Sequence, residues 1–306
     1  MSSPPVSGAI LISPDWELDY YSRPILEADG KKRWELLICS SPEPLAAPRS
    51  ETESPASPFR WARACPASSV NSVWLREALE AALADALEQG FGPPRRLRSM
   101  LGSMRPMVQR ASEGLGIELV ASRRCYSLME WVREREADVY PLEPGFMAGP
   151  LAPPPAPIQP PAVPLPEAVR GESWSWACLP AGMLAEAPGW EIGFTGLLPL
   201  PPLADSGVAV PGIRLFGRQR ALAIAGWLAG LEPVRLEICG NQLVLEAGLE
   251  DRWLLATLSE QEARASAEAF ATARHQACGL QFIAVQAAEE EPLLEGFWML
   301  RDLPDG

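Results

Sequence analysis

Five arginines in two short groups, Arg95, Arg96 and Arg98 and then Arg123 and Arg124, are the side chains of this sequence best suited to holding a polyanion. A guanidinium binds phosphate as a two-pronged fork and stacks on planar rings. Tyr126 follows the second group, and Lys31 and Lys32 form a further cationic pair. Over Arg95–Arg135, nine arginines stand against four glutamates, a local excess of +5. Tyr20, Tyr21, Trp61 and Trp131 lie in or near the same segments. Aromatic stacking combined with backbone neutralisation is how single-stranded RNA is gripped. The opposing reading ties these arginines to Glu113, Glu118 and Glu130 and places the tryptophans in the core.

Other chemistries find little support. The single histidine, His275, falls on a helical pattern, with no Ser and acid arranged around it as a triad requires. The six cysteines are scattered singly, without the clustered Cys/His pairs of a zinc site. Neither a G-x-x-x-x-G-K-[ST] nor a G-x-G-x-x-G run occurs, so no nucleotide cofactor and no metal is expected. A two-metal nuclease would use Asp19 with Glu77 or Glu80. Such sites need three or four converging carboxylates, whereas the next strand, Arg95 to Met100, holds three arginines and no acid. Asp19 then reads as a partner for Arg23 or Arg33.

These residues must be positioned by elements that the pattern outlines. Trp16–Tyr21 alternates as a strand, Asp29-Gly30 is a hairpin turn, and Lys31–Cys39 returns as a second strand. Phe59–Arg63 reads as a third. A helix spans Val73 to about Gln89, capped by Asn71 or Ser72 and halted at Gly90. Arg95–Met100 is a strand, Ser103–Leu115 a helix with Pro106 in its first turn, Ile117–Ser122 a strand and Tyr126–Arg135 a helix. The order β-β-β-α-β-α-β-α is that of a ribonuclease H-like fold, with an α+β sandwich of other topology as the rival.

Eleven prolines lie between Pro141 and Pro166. Proline has no backbone donor and a fixed φ, so this stretch is expected to join neither a sheet nor a helix interior and to act as a linker. The expectation is an α/β or α+β protein of two mixed-sheet domains, 1–140 and 167–306, joined by the proline-rich segment 141–166. A second Ser/Pro/Glu-rich stretch, 41–58, reads as a surface loop. The second half has strands at Trp174–Leu179 and Ile213–Phe216, and a helix from Arg218 or Gln219 to Leu231. A hairpin follows at Arg235–Cys239 and Gln242–Ala247, then a strand at Trp253–Leu258, a helix at Glu260–Gln276 and strands at Leu280–Gln286 and Phe297–Arg301. The pattern [IV]-L-E-A-x4-R-W occurs twice, at Ile25–Trp34 and Val244–Trp253. If the two share a core, Trp34 and Trp253 should be buried, with Arg33 and Arg252 more exposed.

The chain carries 26 Lys and Arg against 39 Asp and Glu, net −13, which excludes a uniformly basic nucleic-acid binder. Positions 1–150 hold −3 of this charge and positions 151–306 hold −10. No apolar run reaches the ~18 residues of a membrane span. The stretch from Met1 to Pro14 reads as neither a secretory signal nor an Arg-rich transit peptide. Scattered thiols fit a reducing compartment, and a cytoplasmic protein is expected.

The segments Trp16–Pro24, Gly30–Cys39, Asn71–Leu79 and Ser122–Tyr126 resemble the N-terminal domain of a known family. Pro164–Glu172, Pro211–Phe216, Gly230–Pro233, Asp251–Trp253 and Gly296–Asp302 resemble its C-terminal domain. The family is that of chloroplast and cyanobacterial RNA-binding translation activators required for photosystem I accumulation. The resemblance implies a non-catalytic protein that binds A/U-rich single-stranded RNA, and, without a transit peptide, a cyanobacterial member. Around Met100-Leu101-Gly102 the chain departs from an arginine- and aromatic-rich stretch of that family. Translation or photosystem assembly proteins are the partners expected for the acidic second half. The residues assigned to RNA from charge and aromatics are Arg95, Arg96, Arg98, Arg123, Arg124, Tyr126, Lys31 and Lys32. The alternatives are a protein-interaction assembly factor with little RNA binding and, third, a metal-dependent nuclease.

Overall fold

A computed structural model describes residues 15–41, 59–100, 102–148 and 160–302. The chain divides into two compact units, one built on the N-terminal strands and one from residue 157 onward. The 41–58 loop expectation, apart from Ser41 itself, and residues 149–159 of the proline-rich segment lie outside the described residues.

The first unit contains β1 (Asp15–Leu26), β2 (Lys32–Ser40), β3 (Arg60–Cys65), α1 (Ser72–Glu88), β4 (Arg96–Ser99), α2 (Arg105–Ser112), β5 (Glu118–Ala121) and α3 (Tyr126–Glu134). Its sheet has the order β3-β2-β1-β4-β5. β1 runs antiparallel to β2 and parallel to β4, and β4 runs parallel to β5.

Alternation along β1 separates two faces. Trp16, Leu18 and Tyr20 join Leu36, Ile38 and Leu97 in a core against Leu75, Ala78 and Leu79 of α1 and Val108 of α2. Trp16 stacks on Phe59 at 5.0 Å, and Tyr20 on Trp74 at 5.6 Å. α1 starts where the Asn71 side chain accepts from the Val73 and Trp74 amides at 2.9 Å, the usual device for satisfying the first free amides of a helix. It gives way at Gly90, whose positive φ is the conformation that glycine supplies past a helix end. Leu87 points into solvent, because the buried stripe shifts onto Ala82 and Ala86.

The other face of β1 carries Asp15, Glu17 and Asp19, all buried. A buried charge needs a partner and a buried neutral polar group needs a hydrogen bond, and each of these side chains has one. Asp15 pairs with Arg98 at 2.8 Å. Glu17 accepts the Leu128 amide at 2.7 Å, near the start of α3. Asp19 holds Arg23 at 2.6 Å, so the Arg23 pairing read from the sequence is realised. Arg23 reaches on to Glu35 at 3.2 Å. After α3, a π turn (Arg135–Val139) brings in Arg135 at 2.5 Å and the Tyr140 hydroxyl at 2.5 Å, both donating to Glu35. α3 packs Leu128 and Trp131 onto Leu37 and Cys39 of this same face, together with Cys125.

The second unit contains β6 (Val163–Pro164), β7 (Ser173–Pro180), α4 (Ala181–Ala185), β8 (Ile192–Gly196), β9 (Ala209–Phe216), α5 (Ala221–Ala229), β10 (Pro233–Cys239), β11 (Gln242–Ala247), β12 (Asp251–Thr257), α6 (Glu260–Gln276), β13 (Leu280–Gln286) and β14 (Leu294–Arg301). Its two sheets have the orders β7-β9-β13-β14-β8 and β10-β11-β12-β6. Ile213, Ile283 and Leu300 of the first sheet share a core with Leu236, Leu243 and Leu245 of the second, under Ile224 and Leu228 of α5. Gln281 bridges them by accepting the Leu236 amide at 2.8 Å. Ser259 and Glu262 form a capping box that starts α6, each side chain satisfying the other's backbone amide. The short elements α4 and β8 are additions to the elements read from the sequence.

Two expectations need correction. The proline-rich stretch does join a sheet: Trp253 of β12 pairs with Val163, and Leu254 with Pro164. β6 is an edge strand, where a missing donor costs nothing on the solvent side. Farther upstream, Phe146 bridges Ile25, and the Met147 amide donates to the Pro24 carbonyl at 2.9 Å. The two R-W repeats also behave differently from expectation. Trp34 and Trp253 both lie in strands but are only half-buried, and the Arg252 side chain is itself largely covered, at 11 % exposure. The reason is an ion pair common to both hairpins, Arg33–Glu27 in one and Arg252–Glu246 at 3.3 Å in the other.

We propose that the two units are domains joined by the proline-rich segment. Limited thermolysin digestion should then release two stable fragments by cutting between positions 149 and 159. Early cuts inside Ser72–Glu88 or Ala221–Ala229 would refute this layout. A second expectation concerns Glu17. Burial pushes its carboxyl from 4.5 up to about 8, against the opposing pull of the Leu128 amide and Arg98, because a buried carboxyl disfavours its charged form. The folded chain therefore keeps a proton that the unfolded chain releases. This contribution to stability is complete below about pH 4.5 and is lost as pH rises through about 8, since stability falls wherever the folded state binds more protons. Thermal melts of Glu17→Gln should show a flatter decline across that interval than the parent; an identical decline would locate the effect elsewhere.

Candidate nucleic-acid interface

The strands β4 and β5 determine where the arginines go. In the parallel register Arg96 lies beside Asp15 and Arg98 beside Glu17, so both arginines project onto the acidic face of β1. Arg98 is absorbed there: its Nη1 donates to Ser41 Oγ at 3.2 Å as well as to Asp15, and its side chain is only 11 % exposed. Arg96 is half-exposed and donates to Glu118 Oε2 at 3.3 Å. Arg95 precedes the strand and is exposed, while its carbonyl accepts the Glu118 amide at 3.0 Å.

The second group stands at the other end of these strands. Ser122 ends β5 by donating its amide to the Ser99 carbonyl at 3.2 Å. Arg123 is half-buried and engaged with the fold. Arg124 is buried, its guanidinium 5.6 Å from the Tyr126 ring centroid. Tyr126 is 4 % exposed, so its faces are covered by its own unit. Lys31 and Lys32 are exposed at the β1–β2 turn, where Lys31 lies 3.9 Å from Asp29. That turn is at the far end of β1 from Arg95, and a strand of this length spans roughly 40 Å.

The eight residues assigned to RNA from the sequence are therefore not gathered into one patch. Arg98, Arg124 and Tyr126 are drawn into the fold, Arg98 by Asp15 and Arg124 against the ring of the buried Tyr126. Of the other aromatics, Tyr20 and Trp131 are buried, Trp61 donates Nε1 to Asp85 at 2.6 Å, and Tyr21 is exposed, edge-on to Trp34 at 6.0 Å. Arg60 and Arg135 both lie over Trp131, within 5.7 Å of its centroid.

Around the starts of β4 and β5 the structure offers a polar cleft of about 580 Å³ between α2 and β5, lined by Arg105, Gln109 and Glu118. Its backbone rim includes Gly114 and Gly116. Both have a positive φ, a left-handed conformation open to glycine that other side chains rarely adopt. Arg96 is ion-paired with the lining residue Glu118 but projects from the acidic face of the sheet, and Arg95 precedes it in the chain. Arg105 belongs to the arginine excess counted from the sequence, but Gln109 carries no signal there. Only the helical spacing from Arg105 could have found it.

Chemically, the cleft can hold a phosphate with Arg105 and hydrogen-bond a base or ribose with Gln109, while the exposed Arg95 offers a further guanidinium just before β4. It offers no acid–base pair. Among the described residues no group of three or more His, Cys, Asp or Glu could hold a metal ion. Asp19, the carboxylate a nuclease would need, is engaged by Arg23. His275 is exposed in the last turn of α6. Among the described residues no helix is long and apolar enough to cross a membrane.

Comparison with known proteins adds the family. A protein of Zea mays named "Protein TAB2 homolog, chloroplastic" is 35 % identical over 313 residues, covering 95 % of this chain and 72 % of its own length. Its Arabidopsis thaliana namesake is 31 % identical, covering 95 % and 75 %. One chain of a solved simian T-cell lymphotropic virus intasome overlaps 55 % of this chain and 63 % of its own at 12 % identity. Its TM-score of 0.29 is too low to carry any conclusion. Residues 15–135 match the family model described as RNA-binding protein Tab2/Atab2 N terminal, and residues 152–301 match its C-terminal domain. The chain belongs to the Tab2/Atab2 family of RNA-binding proteins.

Proposed function

We propose that this chain is a non-catalytic protein that binds A/U-rich single-stranded RNA and supports photosystem I biogenesis at the level of translation, working in the cytoplasm. The observation that carries the RNA reading is the pair of family models spanning both units. Its counterpart in the structure is Arg105 in the polar cleft, together with the exposed Arg95 just before β4. The net charge is −13. Charges beyond ~10 Å are nevertheless largely screened at about 0.1 M salt, so a local cluster can still attract phosphate. Relatives named as chloroplastic support the photosynthetic assignment.

A second reading, a protein-interaction assembly factor, draws on two observations. Arg98, Arg124 and Tyr126 are held within the fold, and positions 151–306 carry −10 of the net charge. Salt titration of binding to an A/U-rich single-stranded RNA separates the two. Each phosphate contact on a single strand contributes about −0.7 to the slope of log K against log salt. Arg95→Ala with Arg105→Ala should weaken binding across RNA sequences and flatten the slope by about 1.4 if both touch phosphate. Arg98→Ala should instead lower thermal stability, because it removes the cation that Asp15 pairs with inside the fold, and breaking a buried pair from one side is costly. An Arg95/Arg105 double variant with unchanged affinity and slope would favour the protein-partner reading.

A further inference from the structure

The second unit holds a larger cleft that none of the residues discussed for RNA touches. Along β9, β13 and β14, the residues Ile213, Ile283 and Trp298 face the core, and the alternating set faces away from it. The outward set lines a cleft of about 810 Å³, within the roughly 300–1,000 Å³ typical of ligand sites. Its floor is low. In cross-strand register Ser175 lies beside Arg214, Arg214 beside Ala284, and Ala284 beside Phe297. The small side chain of Ala284 leaves a low floor between Arg214 on one side and the aromatic Phe297 on the other, and Ser175 keeps the far flank of Arg214 low. Trp190 forms a wall on the aromatic side, edge-on to Phe297 at 5.3 Å and 78°.

Arg214 is held in one orientation. Its Nε donates to Gln286 Oε1 at 2.7 Å and Nη2 donates to the Glu289 carbonyl at 2.7 Å. Its guanidinium lies 4.9 Å from the Phe216 ring centroid. Gln286 is itself buried, and its Nε2 is anchored on the Glu291 carbonyl at 2.6 Å. The remaining nitrogen, Nη1, has the Glu289 carboxylate at 3.7 Å, and that side chain is 67 % exposed. The cleft thus presents an oriented donor whose only ionic cover among the described residues is a side chain free to swing aside. At the rim, Glu191 and Glu289 disfavour a second negative charge.

A flat ring with an in-plane acceptor fits these features; a phosphate does not. We propose that this cleft takes one base of a single-stranded RNA, its ring over Ala284 against Trp190, its carbonyl or ring nitrogen accepting from Arg214 Nη1, and its sugar-phosphate outside. The proposal rests on the RNA-binding reading and assigns base contact to the second unit, with phosphate contact left to the first. A cationic peptide side chain would meet Arg214 inside the cleft, which disfavours a protein segment there.

The test uses the full chain with fluorescent decamers of uridylate and of adenylate. Trp190→Ala and Arg214→Met, each verified as folded by thermal melting, should weaken binding at least about fivefold, the lower end for loss of one stacked base. The salt slope should stay unchanged, because no phosphate contact is removed. Free uridine or adenosine should compete at least as well as its 5′-monophosphate. Ser175→Phe, which fills the cleft from the β7 side of Arg214, should give the same loss and covers the case in which Trp190→Ala does not fold. Folded variants with parental affinity, alongside an Arg95/Arg105 variant that loses binding, would overturn the cleft and leave the RNA reading standing. A parent protein that binds neither decamer would overturn both. Variants that keep RNA binding but lose a Lys/Arg-rich peptide would overturn the base assignment in favour of a protein segment.

Discussion

Three carboxylates in alternation on one buried face of β1 are the constraint from which the first unit is built. Asp15, Glu17 and Asp19 cannot remain there without cations or donors, since a buried charge that loses its partner is strongly destabilising. Arg98 on β4, the first turn of α3 and Arg23 meet the three in turn. The position of α3 follows: its Leu128 amide is committed to Glu17, and the π turn beyond it commits Arg135 and Tyr140 to Glu35. Arg98, which in one dimension belongs to the arginine-rich run, serves as the counter-charge of an acidic strand.

The second unit solves a similar problem with a different layout. Glu246 is almost fully buried between Arg235 at 2.8 Å and Arg252 at 3.3 Å. Arg235 extends to Asp302 at 3.0 Å, and Asp302 also meets Arg274 of α6 at 3.1 Å. This ionic chain ties β10, β11, β12, α6 and the end of β14 together. The Glu–Arg pair inside each [IV]-L-E-A-x4-R-W hairpin is the local element that both units share, although the sheets around the two hairpins are assembled in different orders.

The elements themselves are legible because their signals are local. The alternation of Trp16–Tyr21, the Asp29-Gly30 turn and the Asn71 cap each depend on residues a few positions apart, and the strands and long helices lie where such patterns put them. Partners across the sheet are not legible. Nothing in the run Arg95–Arg98 shows that position 98 faces Asp15 while position 95 faces solvent; that depends on the register between β1 and β4. The same holds for Tyr126, whose burial depends on the packing of α3, and for Arg214, which is isolated in sequence and acquires its oriented nitrogen only from Gln286 and a loop carbonyl. Elements as short as α4 and β8 escape notice because so brief a run carries too little periodicity to register.

The short strand β6 has a consequence for the molecule in crowded solution. An open sheet edge is a template on which other chains can polymerise, and proteins blunt such edges with proline or charge. Here β12 would otherwise be that edge. It is covered instead by Val163 and Pro164, and the proline offers a neighbouring molecule no amide hydrogen with which to continue the ladder. The same composition that makes residues 141–166 read as a spacer thus terminates a sheet and guards it against edge-to-edge aggregation.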